Sequence, residues 1–184
     1  MMQRRTVVAL LPAALAIAAV PGTAFGRPAP KELADELPGA RLQGSGRLRF
    51  LGFRVYDAHL FMAAQAAAAD WASAPLALEI EYARALDGAQ IVERSLGEMR
   101  RQAEIDPARG ERWLADMKRL FPSVKSGDRF TGVQRPGESA RFFFNGGFQG
   151  EVRDAEFARL FFGIWLSPRT SEPALRAALL GGAP

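Results

Sequence analysis

The order in which hydrophobic periods follow one another along the chain restricts its possible folds more than any other feature. The residues from Arg47 to Met62 are rich in Phe, Val, Leu and Tyr. They predict one long strand with a bulge at Gly52, where the apolar parity changes. Apolar and polar residues then alternate from Leu76 to Tyr82, which predicts a strand with one face in a core and the other in water. Two helical patterns follow, and after them a run of short strands.

The predicted helices begin at residues that favour a helix start. Asp87 is expected to cap the first helix, while Pro107 lies near the start of the second and Pro122 ends it. Pro-Gly and Gly-Gly pairs separate three predicted strands, which is typical of hairpins. These strands are residues 129–134, 141–145 and 148–152, and two further helices cover residues 154–162 and 172–180.

Strands and helices in separate blocks favour an α+β fold with a large antiparallel sheet and helices packed on one face. One domain over residues 40–181 is predicted, because nothing indicates a repeat or a second domain. A chain of this length can bury one core without crosslinks. The chain contains no cysteine, so disulfides, thiol nucleophiles and thiolate metal sites are excluded.

The N-terminus predicts export. Arg4 and Arg5 precede an uncharged apolar run over residues 7–20, which is too short to cross a bilayer, and Ala24 and Gly26 supply small residues for cleavage. We therefore expect a signal peptide over residues 1–26, a Pro-rich lead over residues 27–39 and a periplasmic or secreted protein. Ordinary secretion and twin-arginine export both remain open. A buried first helix is the alternative, but it would place a proline in its middle.

The remaining composition excludes several kinds of site. The formal net charge is +4, of which the two arginines of the predicted signal supply half. The other arginines are scattered among acids, so nucleic acid is not an expected partner. His59 is the only histidine, so a multi-histidine zinc site cannot form and a Ser-His-Asp triad would need that side chain. Arg49 replaces the third glycine of a dinucleotide turn that starts at Gly44. No metal and no cofactor are expected, and Glu79 and Glu81 are predicted to face solvent.

Arginines, a tyrosine and an asparagine lie within strongly apolar predicted strands. This mixture is typical of a pocket for an apolar ligand that carries one anionic or polar head.

Several segments, in the same order, resemble the chalcone isomerase-like family, and most closely its short exported bacterial members. They are GSGRLRFLGFRVYDAHL at residues 44–60, GDRFTG at 127–132, FFFNGGFQG at 142–150 and FFGIWLSP at 161–168. The resemblance covers roughly residues 38–180. It implies an open-faced β-sandwich, a large antiparallel sheet with helices on one face.

The resemblance implies that the residues of the plant catalytic site are mostly replaced. Either Arg47 or Arg49 matches the arginine that stabilises the oxyanion in the plant enzymes. Gly52 stands where those enzymes have a threonine. Ile91 replaces the catalytic tyrosine, and Arg94 replaces a lysine. In addition, a glutamate at position 98 takes the place of an asparagine. Because isoleucine can neither donate a proton nor polarise a ketone, cyclisation of a chalcone is not expected.

The family also has a non-catalytic branch that resembles fatty-acid-binding proteins. By this resemblance Arg47 or Arg49, together with Tyr56, would bind a ligand carboxylate. Arg94 and Asn145 are weaker candidates. The expected function is therefore an exported, non-catalytic protein that binds a fatty-acid-like ligand. A cofactor-independent isomerase (an intramolecular lyase) and a periplasmic scaffold that binds a protein partner remain the alternatives.

Overall fold

The structure, a computed structural model, describes residues 27–182. The predicted signal peptide, residues 1–26, lies outside the described residues. The described α-helices and strands, in chain order, are α1 (Leu33–Glu36), β1 (Arg41–Phe50), β2 (Phe53–Met62), β3 (Leu76–Tyr82), α2 (Gly88–Arg100), α3 (Pro107–Leu120), β4 (Arg129–Arg135), β5 (Ser139–Phe144), β6 (Gly147–Val152), α4 (Ala155–Leu166) and α5 (Pro173–Leu179), and a short 3-10 helix (Ala68–Asp70) lies between β2 and β3.

The strands of residues 27–182 form one six-stranded sheet in the order β1-β2-β3-β4-β5-β6, and every neighbouring pair is antiparallel. Buried residues of α2, α3, α4 and α5 form one core cluster with the apolar residues of the strands. The main helices therefore cover one face of the sheet. Burial of their apolar stripes against the strands supplies most of the stabilising free energy. This confirms the predicted α+β fold.

The segment predicted as one long bulged strand is instead a hairpin. Leu51 and Gly52 form its turn with φ angles of 48° and 82°, and Phe50 pairs with Phe53 across it. Positive φ at both central residues is the geometry of the type I′ turn, which joins two antiparallel strands. The prediction of a single strand over residues 47–62 is therefore wrong. The parity change at Gly52 marks the point where the chain reverses.

The two faces of β3 have different surroundings. Its four apolar even-numbered residues join the helix-side core, as the alternation predicts. Glu79, which was predicted to face solvent, is fully buried on the other face. Its carboxylate pairs with the guanidinium groups of Arg27 and Arg129. These contacts explain how the charge is tolerated there, since a buried carboxylate requires charged or hydrogen-bonding partners.

The Pro-rich lead packs on the face of the sheet opposite the main helices. Leu33 in α1 and Leu37 just after it are both buried, with exposed fractions of 1% and 7%. They form a second, smaller core cluster with Phe61, Val133 and Phe143 from three strands. From Arg27 onward, the chain is thus part of the packed domain.

Aspartates cap three of the main helices. Asp87 accepts a hydrogen bond from the backbone of Gln90 at 3.1 Å, which confirms the predicted start of α2. Asp106 and Asp154 make equivalent contacts at the starts of α3 and α4. A cap of this kind stabilises a helix by about 1 kcal/mol and fixes where it begins. Helices α2 and α4 begin in this way and pack beside one another over the sheet, and the candidate site lies between them.

Candidate functional site

A cavity of about 250 Å³ lies between the helix-side face of the sheet and helices α2 and α4. Strands β1 to β4 form its floor. Its apolar lining consists of Leu48, Val55, Ile80, Leu86, Ile91, Pro122, Val124, Phe121, Phe130, Phe161 and Ile164. The remaining lining residues carry polar groups and include the tyrosines of β2 and β3 and Trp165 of α4, but most of the surface that faces the cavity is apolar. A concave, mainly apolar site with few polar groups is typical of small-molecule binding.

The register of the first three strands brings Tyr56 to this cavity. Leu48 of β1 pairs with Tyr56 of β2, which in turn pairs with Tyr82 of β3. Cross-strand partners project to the same face of a sheet, so all three side chains lie on the helix side. The two tyrosine rings meet edge to face with centroids 6.2 Å apart. This contact holds the Tyr56 ring in place at the wall of the cavity.

The hydroxyl of Tyr56 has one hydrogen-bond partner among the described residues. It accepts a hydrogen bond from the indole nitrogen of Trp165 at 2.9 Å. Its own proton is therefore available for an acceptor in the cavity. Burial raises the pKa of Tyr56 to about 12, although the hydrogen bond from Trp165 acts in the opposite direction. The phenol is thus neutral and a hydrogen-bond donor at physiological pH.

Charged residues of α2 and of the segment before α5 border the same cavity. Arg94 forms an ion pair with Glu98 at 2.8 Å, and Arg101 approaches the same carboxylate at 3.4 Å. The Arg94 side chain is 72% exposed, whereas that of Glu98 is only 9% exposed. Glu172 and Ser171 also line the cavity. Arg94 is thus a solvent-accessible cation, paired with Glu98, at the border of a mainly apolar cavity.

Arg47 and Arg49 do not lie with Tyr56. Arg47 is the strand neighbour of Leu48 and therefore projects to the opposite face, where it binds Asp57 at 2.6 Å. Arg49 lies near the end of the hairpin, and its guanidinium donates to the carbonyl oxygen of Gly52 at 3.2 Å. The expected grouping of either arginine with Tyr56 around one carboxylate is corrected by this geometry. Among the predicted site residues, the structure brings together Tyr56 and Arg94.

Asn145 has a local role. It follows β5 with φ of 50°, in the turn that leads into β6. Its side-chain oxygen accepts from the backbone of Arg129 at 2.8 Å, and its nitrogen donates to Asp128 at 3.1 Å. These bonds stabilise a left-handed turn residue, a conformation that asparagine tolerates well. Asn145 does not line the cavity described above.

The structure also gives the positions of Ile91, Gly52 and His59, which the sequence singled out. Ile91 lines the cavity, while Gly52 lies in the hairpin turn. His59 is on the opposite face of the sheet, where its Nδ1 is 2.8 Å from the hydroxyl oxygen of Ser45. Burial, and next the nearby Arg27, lower the pKa of His59. None of the described residues forms a cluster of three or more acids or histidines suited to a metal.

Sequence analysis did not identify Trp165 or Tyr82 as site residues. Trp165 lies on α4, which is so apolar that hydrophobic periodicity alone does not show which side chain faces a cavity. A buried indole nitrogen needs a hydrogen-bond partner. The chain has only two tyrosines, so the need of the Trp165 indole for an acceptor was a signal that could have pointed to a contact with one of them.

Comparison with known proteins places this geometry in context. The family model described as chalcone isomerase-like matches residues 36–181. A fatty-acid binding protein of Arabidopsis thaliana, known from its crystal structure, superposes with a TM-score of 0.61 at 13% identity. The match covers 78% of this chain and 87% of that one, and it shows a shared fold.

A curated relative from Haemophilus influenzae, described as an uncharacterized protein, is 26% identical over 107 residues. The match covers 58% of this chain and 52% of the relative, so it spans about half the length of that protein. Within residues 27–182, no helix has the length and apolar character needed to cross a membrane.

Proposed function

The chain belongs to the chalcone isomerase-like family, and on that premise we propose that it is a non-catalytic binding protein for a small apolar ligand with an acidic head. The observation that carries the proposal is the cavity itself. It combines an apolar lining with the neutral phenol of Tyr56 and the exposed guanidinium of Arg94. A phenol that donates and a cation at the border of the same cavity suit the oxygens of a carboxylate.

The size of the cavity suggests the length of the ligand. A cavity of roughly 150 Å³ accepts benzene, which corresponds to about 25 Å³ per carbon. By that measure the volume of about 250 Å³ holds roughly ten carbon atoms. Each buried methylene contributes about 0.8 kcal/mol, so a tail of that length supplies most of the affinity before association costs reduce it to micromolar strength.

The charges around the cavity favour one carboxylate over more highly charged heads. Arg94 and Arg101 are balanced by Glu98 and Glu172, so the surroundings are neutral before the ligand arrives. A monocarboxylate adds one negative charge, whereas a phosphate or a dicarboxylate adds close to two beside the two glutamates. Like charges at short range disfavour the second case, which gives selectivity by repulsion.

Export is the second part of the proposal. The positive start, short apolar run and small residues before Arg27 support cleavage near Gly26 and release into the periplasm or the medium. A carrier for a poorly soluble acid is useful in such a compartment, because the apolar tail is removed from water. The proposal does not involve a protein partner.

The test is calorimetric titration with saturated fatty acids of increasing length and with their methyl esters. We expect affinity to rise up to about ten carbons and then level off, because longer tails exceed the cavity. Esterification should weaken binding, since it removes the charge next to Arg94. Affinity that does not depend on chain length, or is equal for acid and ester, would contradict the proposal.

Three variants test where the acidic head and the apolar tail of the ligand bind. Arg94→Ala should weaken binding about tenfold, the low end for a charged hydrogen bond, because Arg94 is largely exposed. Arg47→Ala is the matched control on the opposite face and should have no effect. Ile91→Trp fills the cavity and should abolish binding. If Arg47→Ala weakens binding and Arg94→Ala does not, the ligand lies on the other face and the site is misplaced.

A further inference from the structure

The turn of the β1–β2 hairpin exposes large apolar side chains that the domain itself does not bury. We call residues 49–54 the hairpin tip. Phe50, Leu51 and Phe53 are 65%, 80% and 69% exposed. Leu51 also has a left-handed backbone conformation, which strongly favours Gly, Asn and Asp. Neither core packing nor backbone geometry therefore accounts for a leucine at this position.

Arginines surround these apolar side chains. Arg47, Arg49 and Arg54 lie on the two strands next to the turn, and Asp57 pairs with both Arg47 and Arg54 at 2.6 Å. Arg49 contacts only the Gly52 carbonyl among the hydrogen bonds of residues 27–182, and it has no carboxylate partner there. Three cations and one anion leave this end of the hairpin with two net positive charges.

We propose that the hairpin tip docks on the surface of an anionic lipid bilayer. The three apolar side chains enter the interfacial region, and the arginines behind them contact lipid phosphates. Charge complementarity identifies the occupant, because an apolar tip with a positive base matches an apolar interior under a negative surface. The tip is a small protrusion, whereas a stable protein interface buries about 800 Å² on each partner. This size favours a bilayer over a protein surface.

The position of the tip connects the bilayer to the cavity. Leu48 and Val55, the residues that flank the tip on its two strands, both line the cavity. A docked tip therefore holds the cavity within a few residues of the membrane surface, where amphiphilic acids are concentrated. The role in ligand exchange rests on the proposed function, but docking itself requires no ligand.

The experiment is flotation of the purified protein with lipid vesicles that contain no fatty acid. The protein carries the N-terminus that export leaves, determined by intact mass. Vesicles of phosphatidylglycerol with phosphatidylethanolamine are compared with vesicles of phosphatidylcholine alone. We expect binding to the anionic vesicles only, and loss of binding in about 1 M salt, where the Debye length falls to about 3 Å.

The decisive variant is the triple change Phe50→Ser, Leu51→Asn and Phe53→Ser, which should weaken vesicle binding at least tenfold. Asparagine suits the left-handed position, and all three side chains are exposed, so the fold should persist; circular dichroism checks this. Arg49→Glu should weaken binding by about fivefold or more. The matched control is Phe148→Ser, because Phe148 is 52% exposed at the opposite edge of the sheet.

Three results would overturn the proposal. The first is equal binding to neutral and anionic vesicles, and the second is equal binding by the wild type and the triple variant. The third is a wild type that binds no vesicles but sediments as a dimer, together with a triple variant that sediments as a monomer. The last result would make the tip a contact between two copies. Ile91→Trp, which fills the cavity, should bind vesicles like the wild type. Failure of docking is therefore distinguishable from failure of the ligand proposal.

Discussion

Raising the pH should destabilise this protein through the tyrosines of its cavity. The chain contains only two tyrosines, and Tyr56 and Tyr82 lie side by side against the cavity. Burial raises the pKa of Tyr56 to about 12, and it also raises the pKa of Tyr82, with a further contribution from its neighbour. An unfolded tyrosine titrates near pH 10, so the folded state retains the proton longer than the unfolded state.

The sign and size of the effect follow from that difference. Because the folded pKa exceeds the unfolded one, the stabilising contribution is complete below about pH 10 and is lost as the pH rises towards 12. A difference of about two pKa units for Tyr56 corresponds to roughly 2 to 3 kcal/mol of unfolding free energy. A loss of that size is a large fraction of the stability of an ordinary domain.

Two measurements test this prediction. The tyrosinate ultraviolet band should stay absent from the folded protein at about pH 10 and appear only at higher pH, while the protein unfolded in urea titrates near pH 10. Urea denaturation at about pH 9 and about pH 11 should show the fall in unfolding free energy. If the whole tyrosinate signal of the folded protein develops with a midpoint near pH 10, both phenols are solvated and our account of the cavity wall is refuted. Tyr56→Phe should remove part of the delayed signal.

Three further outcomes are expected. Gly44→Ala should destabilise the fold by about 1 to 3 kcal/mol in urea denaturation, because its Cβ would overlap the backbone of α5. Gly97→Ala, a control in α2 with open space around it, should stabilise by about 0.5 to 1 kcal/mol, and a reversed order would contradict the packing of α5 on β1. Purified protein should cyclise chalcones no faster than buffer, because Ile91 has no proton to give; turnover well above buffer would disprove the non-catalytic proposal. Intact mass should show a mature chain that starts at Arg27 or within a few residues of it, and an exported form that retains Met1 would contradict the predicted signal peptide.

Much of the fold could be predicted because the signals for it are local. The alternation from Leu76 to Tyr82 and the caps at Asp87 and Asp154 each depend on a few neighbouring residues. The β1–β2 hairpin was not predicted, because its turn residues are Leu51 and Gly52. Leucine is rare at a left-handed position, so the usual Asn-Gly or Asp-Gly signal of a type I′ turn is missing.

That single error also explains the misplaced arginines. In a strand, which face a side chain occupies depends on the register, and a shift of one residue reverses every face. When residues 47–62 are taken as one strand with a bulge at Gly52, the parity change at the bulge puts Arg47, Arg49 and Tyr56 on one face. In the hairpin, Tyr56 pairs with Leu48, so Arg47 must point away. A resemblance in sequence identified the segment correctly but could not supply this pairing.

Two buried polar residues of α2 indicate where the cavity lies, although the hydrophobic period of the helix does not show it. The apolar stripe of this helix includes Ser95 and is continued by Glu98, and both are buried. Ser95 donates to the Ile91 carbonyl at 2.8 Å, and Glu98 pairs with Arg94, so their polar atoms are satisfied within the helix. Side chains satisfied by their own helix require no partner across the interface. This flank of the helix can therefore border the cavity, while Val92, Leu96 and Met99 of the same helix pack in the core. Polar residues on the flank of a helical stripe thus indicate where a core ends and a binding cavity begins.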